Sequence, residues 1–300
     1  MSGPATRRLR RLLRRAARHP RLEPLAWRVR ARRRQRTIQP PRAKIADPRA
    51  RIALAPRIRA VESRLEELAA GDGQIVAGPW EGSLELELLY WIPFLRWFSR
   101  RFEVVRSRLA AVSRPGAGAW YADVCASYSA TMEEVDGRPL PPSVLEELCG
   151  AYWQEQGPLV HVLDRLEYTR VQALPSPASS LPPDSVVVWP SSPGDELLLE
   201  LAERVATRGP VAVIGPGDGG DVAAVTAAVA GARLVVGSWD GRLTLGPMFG
   251  VPTVGLTDGS SASPHLDLSH RAARALESPL LLVDRSQIEL VAALAQKVAV

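Results

Sequence analysis

From about residue 60 the chain alternates short apolar runs with amphipathic segments. QIVAGP (74–79) and LAAVSRPG (109–116) predict two strands, and RIRAVESRLEELAAGDG predicts a helix ending near Gly71. The densest stretch is GPWEGSLELELLYWIPFLRWF, residues 78–98. Between Leu84 and Phe98, eleven of fifteen residues are apolar or aromatic. A helix that spans a bilayer needs about 20 predominantly apolar residues, and this run is broken by Glu85, Glu87, Pro93 and Arg96. It therefore predicts a buried core helix. Ser83 is placed to cap that helix and Pro93 to bend it. AWYADVCASY predicts a second helix, and PPSVLEELCGAYWQEQG (141–157) a third, with proline at its start and glycine at its end.

PSPASSLPPD, residues 175–184, reads as a linker. Beyond it the alternation becomes regular, with strands expected over 185–191, 211–217, 233–239, 252–258 and 279–285. Helices are expected over 195–209, 221–232 and 241–250, after the fourth strand, and at the end of the chain. These strands are unbroken apolar runs, the pattern of a parallel sheet covered on both faces. The expected fold class is α/β. A basic arm (1–60) precedes a smaller Rossmann-like half (61–174) with two evident strands, and a doubly wound parallel sheet fills 185–300.

Charge changes the picture at one end only. The chain has a net charge of +6. Residues 1–60 carry 20 Lys and Arg against Glu23 and Asp47, whereas residues 61–300 carry 18 against 30 acids. The folded part is thus acidic, which argues against a nucleic-acid-binding body. Within the arm, Leu9, Leu12, Leu13, Ala16 and Ala17 share one helical face ringed by arginines. Residues 1–36 could lie on an anionic membrane surface, and the same composition fits a solvated basic arm. No signal-peptide pattern is present, so a cytoplasmic protein is expected, peripheral at the inner membrane face if the arm binds. Cys125 and Cys149 suit a reducing compartment, and no metal-ligand spacing involves them or the four histidines.

Open parallel sheets bind ligands beyond the carboxyl ends of their strands. After the second strand of the C-terminal half comes GPGDGGD, where Gly215 and Gly217 permit a tight turn and a phosphate could approach the backbone; it is neither GxGxxG nor a P-loop, and a plain connecting turn is the better reading. After the third strand comes GSWDGRLTLGPMFGVPTV, containing Ser238, Trp239, Asp240 and Gly241.

Gly78-Pro79-Trp80, Glu87 to Trp97, Val112-Ser113-Arg114, Trp120-Tyr121-Ala122, Leu245 with Pro247, Gly250-Val251-Pro252 and His265-Leu266-Asp267 resemble bacterial glycosyltransferase-like proteins of the two-Rossmann-domain (GT-B) type. The resemblance covers roughly residues 74–275. It implies a nucleotide-sugar donor as co-substrate with no further cofactor, a hydroxyl acceptor such as a lipid-linked glycan, and metal-independent transfer in cell-surface glycan or polysaccharide assembly. The third post-strand loop would hold the donor diphosphate. Two departures stand out. The family's acid and small residue before E-L-L-Y-W are displaced to give Ser83-Leu84-Glu85, and Asp240 stands where a glycine would admit a diphosphate. These departures favour the alternative of a lapsed relative that binds without catalysis; a membrane-surface scaffold that works through its basic arm is the other alternative.

Glu87, one turn into the predicted helix, is the candidate general base; it also reads as an ordinary acid favoured by the helix N-terminus. Arg114 suits a phosphate or carboxylate, or a plain ion pair. His265 and Asp267 fall at a helix start, where they could meet phosphate or sugar. Trp80, Trp120, Trp189 and Trp239 lie near strand ends or helix starts, where an aromatic ring stacks on a base or packs in the core.

Overall fold

The computed structural model describes residues 48–131, 135–149, 168, 182, 185–190, 192–215, 222–240, 242–258 and 266–299. The amphipathic pattern read over 1–36 and nearly all of the 175–184 linker lie outside these residues. The first helix, α1 (Pro48–Ala70), begins well before its evident periodicity. It buries Val61, Leu65, Leu68 and Ala69, a stripe at i, i+4, i+7 and i+8.

The first sheet has four strands where the sequence shows two: β1 (Ile75–Ala77), β2 (Leu109–Val112), β3 (Ser127–Ser129) and β4 (Arg138–Leu140). All pairings are parallel, in the order β3-β2-β1-β4, with Ile75 opposite both Leu109 and Arg138. The helix expected over AWYADVCASY does not form. A 3-10 turn at Gly118–Tyr121 takes its place, and Ser127–Ser129 pair with β2 instead. Tertiary pairing overrides a segment whose own pattern is weak. Helix α4 (Ser143–Cys149) follows β4, and the rest of the helix expected to residue 157 lies outside the described residues.

The apolar run forms one continuous but irregular helix. It comprises a first turn, α2 (Leu84–Leu86), a π-helical segment Glu87–Trp91, and α3 (Ile92–Arg101). Ser83 caps it as expected, its hydroxyl accepting from the Leu86 N–H at 3.3 Å. The irregularity begins upstream of Pro93. Proline has no N–H to offer the carbonyl four residues back, Leu89. That carbonyl accepts instead from the Tyr168 hydroxyl at 3.2 Å. Leu88 to Phe98 are buried throughout, so the helix is apolar on every side because it is covered on every side. Arg96 is accommodated by a two-pronged pair with Asp123, at 2.7 and 3.0 Å. Trp80, Trp91, Phe94 and Phe98 stack in sequence with ring centroids 5.6–6.4 Å apart.

The second sheet contains β5 (Val186–Trp189), β6 (Val211–Val213), β7 (Leu234–Ser238), β8 (Thr253–Thr257) and β9 (Leu280–Asp284), all parallel, in the order β6-β5-β7-β8-β9. Successive strand residues go to opposite layers. Val186, Val188, Val236 and Leu256 join a core with α5 (Glu196–Ala206) and α9 (Ile288–Val298). Val187, Trp189 and Val235 join the other core, with α6 (Val222–Ala230), α7 (Leu245–Met248) and α8 (Leu266–Ala275). The sheet is thus covered on both faces, as the continuous apolar runs require. The helix expected over 241–250 is shorter: a 3-10 turn at Arg242–Thr244 leads into α7.

Both sheets lie in one unit, residues 43–300, and the α6–α8 core continues into the first sheet's core. The contacts between them are made by segments that follow strand carboxyl ends. The α2 turn packs against Arg242–Thr244, and the π segment packs against α8. Gly116, after β2, has φ +87°, and a Cβ there would lie 2.7 Å from the Ala223 nitrogen at the start of α6. Only glycine suits that approach. Among the described residues no helix is long and apolar enough to cross a membrane.

Candidate functional site

The turn after β1 sets the first half of the site. Gly78 has φ +137°, and a Cβ on it would fall 2.3 Å from the Val112 carbonyl, so the chain passes tightly over the end of β2. The Trp80 N–H donates to that carbonyl at 3.0 Å, and the Trp80 indole donates to the Ser83 carbonyl at 3.2 Å. This fixes where α2 starts and which way its acids point. Residues two apart on a helix are about 200° apart around its axis, so Glu85 and Glu87 face opposite ways.

Glu87 points inward and is 0% exposed. Its Oε1 accepts from the Ser113 hydroxyl at 2.5 Å and the Tyr121 hydroxyl at 2.6 Å, and its Oε2 from Arg114 Nε at 2.9 Å. Burial raises its pKa, against the downward pull of these three donors. Tyr121 is held well above its ordinary range by burial and by the Glu87 charge, so its hydroxyl stays a donor. Arg114 also donates to the Gly82 carbonyl. The carboxylate expected to act as a base therefore ties β2 and its following loop to the helix, with no exposed face to offer a substrate. Arg114, expected to meet an anionic ligand, clamps the 78–83 turn.

Glu85 points the other way, toward the second sheet. Its carboxyl is pushed up to about 7, first by burial and then by the charge of Asp240. Its Oε1 is buried and has no hydrogen-bond partner among the described residues. Asp240 is held in place by Arg242, whose backbone N–H donates to Oδ1 at 3.1 Å and whose Nε donates to Oδ2 at 2.9 Å. The same guanidinium lies 5.5 Å from the centroid of the Trp189 ring. The junction thus brings together a carboxyl that exchanges a proton near neutrality, a second carboxylate, and a cation packed on an indole. Such a carboxyl can serve as general base or general acid at ordinary pH.

The four tryptophans belong to the core. Trp80, Trp120, Trp189 and Trp239 are all buried, and the indole N–H of each of the last three has no partner among the described residues. Ser238 and Trp239 are neighbours that go to opposite layers. The Ser238 hydroxyl donates to Asp195 Oδ2 at 2.8 Å on the α5 side, and Trp239 lies against Gly255 in the core facing the first sheet. Gly215 sits just beyond β6. Gly217, Gly241, His265 and the Asp267 side chain lie outside the described residues. The structure therefore groups Trp80, Glu87 and Arg114 in one half and Ser238, Trp239 and Asp240 on one loop of the other, and it makes Glu85 the link.

Two further residues matter here although the sequence pattern assigns them no role. Glu85 is the displaced acid of the 82–86 stretch, the signal that could have marked it. Asp195 follows the first strand of the second sheet, a loop that the same post-strand rule covers. Comparison with protein-family models, with curated proteins and with solved structures gives no match.

Proposed function

We propose that this protein transfers a sugar from a nucleotide-sugar donor to a hydroxyl acceptor at the junction of its two sheets, without a metal ion. The observation that carries the reading is Glu85, a carboxyl pushed up to about 7 by burial, with one buried oxygen that has no partner among the described residues, on the turn that packs against Arg242–Thr244. In this scheme Glu85 takes the acceptor's hydroxyl proton, the freed oxygen attacks the anomeric carbon, and the nucleoside diphosphate leaves with the bonding pair. Arg242, oriented by Asp240 and Trp189, is the cation beside the leaving group. The basic segment 1–36 would keep the enzyme near lipid-linked acceptors on an anionic surface.

The test begins with thermal unfolding in UDP, GDP and dTDP. A ligand at 100 times its Kd stabilises by about 2.7 kcal/mol. Glu85→Gln should keep that shift and lose about 10²–10⁴-fold in transfer rate, the usual worth of a general base. No shift with any nucleotide would defeat the reading.

A second reading, a relative that binds without turnover, is favoured by one feature. Asp240, with Arg242 clamped on it, occupies the position where the resembled family has a glycine, and at about 4 Å two like charges repel by several kcal/mol in a partly screened site. A nucleotide shift with no transfer in the wild-type protein, unchanged by Glu85→Gln, would select this reading.

A further inference from the structure

The two sheets meet where the α2 turn packs on Arg242–Thr244, where the π segment packs on α8, and where Gly116 approaches the backbone of Ala223. The first of these places has a carboxyl on each side. Glu85 stands on the α2 turn, and Asp240 stands just ahead of Arg242. Glu85 Oε1 is buried and has no donor among the described residues. Arg242 is already committed: its backbone N–H and its Nε both hold Asp240, and its guanidinium rests on the Trp189 ring. The same bonds fix Asp240, so it is not free to swing away from a charge on Glu85.

The other charged groups on the packed elements have partners of their own. Glu87, on the π segment, turns inward to Ser113, Tyr121 and Arg114, and Arg114 is divided between Glu87 and the Gly82 carbonyl. From α8, against the π segment, come His270, Arg271 and Arg274; the Arg271 charge acts on Tyr168, and Arg274 donates to the His270 carbonyl. Burial first, and the Asp240 charge second, push the Glu85 carboxyl up to about 7.

A neutral Glu85 suits this contact. Ionised, it puts a second negative charge at a packed surface whose cation is taken, where water screens repulsion poorly. The cheapest relief is for the α2 turn and the 242–244 segment to part. The backbone approach of Gly116 to Ala223 carries no charge and still joins the sheets, so the parting is local.

We propose that the contact of the α2 turn with Arg242–Thr244 is a proton-operated latch, closed while Glu85 carries a proton and loosened when Glu85 and Asp240 are both charged. The closed contact holds a proton that the open one releases, so closure weakens as pH rises from the ordinary carboxyl range through neutrality. The latch does not rest on the transferase reading. On that reading it has a consequence: the form of Glu85 able to take a proton is the form in which the junction is loose, so acceptor entry and basicity rise together.

The experiment is amide hydrogen exchange of the full chain without nucleotide, at about pH 6 and about pH 8, each rate referred to that of an unstructured amide at the same pH. Protection over residues 83–88 and 242–248 should fall about tenfold between the two, because the open form gives up its proton one decade more readily for each pH unit below the closed form's midpoint. These amides should open locally, with little dependence on added urea. Glu85→Gln, neutral at both pH values, should abolish the fall, and Asp240→Asn should reduce it. His270 remains in both variants, so a fall of its making would survive Glu85→Gln. Constant protection overturns the proposal. So does a fall that survives Glu85→Gln, a fall that Asp240→Asn leaves untouched, or exchange that follows global unfolding in urea. With nucleotide absent, each of these results is separate from whether the protein transfers a sugar.

Discussion

Each sheet has a buried acid at the carboxyl ends of its strands, and the two acids are treated differently. Glu87 in the first half receives Ser113, Tyr121 and Arg114, which occupy both of its oxygens. Asp195 in the second receives Ser238 and Arg285 on one oxygen, and its other, buried oxygen has no partner among the described residues. Both join segments that are far apart in the chain. A network with every member satisfied makes a rigid corner, whereas one with an unpartnered buried acceptor carries the cost of that atom's desolvation. Burial of a carboxylate therefore does not by itself mark a reactive site; the state of its second oxygen is the more useful observation.

The strongest way to break this comparison is to remove the satisfied acid. Glu87→Ala leaves Arg114, Tyr121 and Ser113 facing a void, and urea unfolding should show a loss of about 3–5 kcal/mol, as when one partner of a buried pair is deleted. A loss below about 1 kcal/mol would mean that the corner is not held this way.

The next effect is a pH dependence from Glu85. Its carboxyl ionises near 4.5 in the unfolded chain and near 7 in the folded protein. Between those values the folded state holds the extra proton, so the contribution is full below about pH 4.5 and is lost as pH rises through 7. The loss amounts to up to about 3 kcal/mol, because each tenfold difference in proton affinity between the two states is worth about 1.36 kcal/mol. Denaturant midpoints across this range should therefore slope downward with pH, and Glu85→Gln should flatten much of the slope. Asp240→Asn should flatten a smaller part, because burial is the larger cause.

The smallest effect sharpens the contrast. Asp195→Asn keeps the shape of the side chain and relieves a half-partnered charge, with Arg285 still near solvent. The amide oxygen can still accept from Ser238 and Arg285 as a neutral acceptor, so its cost to stability should be about 1–2 kcal/mol, under that of Glu87→Ala. A loss as large as the Glu87 variant's would make the second corner as structural as the first.

Much of the fold was legible where burial is uniform. Val186 to Trp189 and Leu234 to Gly237 read as strands because both faces of the sheet are covered. The edges of the first sheet were not legible, because an edge strand needs no apolar signature. Ser127-Tyr128-Ser129 is polar, and Arg138-Pro139-Leu140 carries a proline that an edge position tolerates. At the site, Glu85 and Glu87 are two acids in one alternating run. Which of them faces inward depends on the phase of the helix, and that phase is fixed by the turn at Gly78 and the contacts of Trp80. Asp195, Ser238 and Arg285 come from the ends of three separate strands and meet only through the strand order β5-β7-β8-β9.

The irregular turn at Pro93 has a consequence for how this chain can vary. Positions 93 and 168 behave as partners although 79 residues separate Leu89 from the tyrosine that serves it. A residue with an amide hydrogen at 93 would let the helix reclaim the Leu89 oxygen and make the phenol redundant. Replacing the tyrosine by phenylalanine while the proline stays would deprive that oxygen of its substitute donor. Viable sequences should therefore lose the tyrosine only where the proline has gone as well.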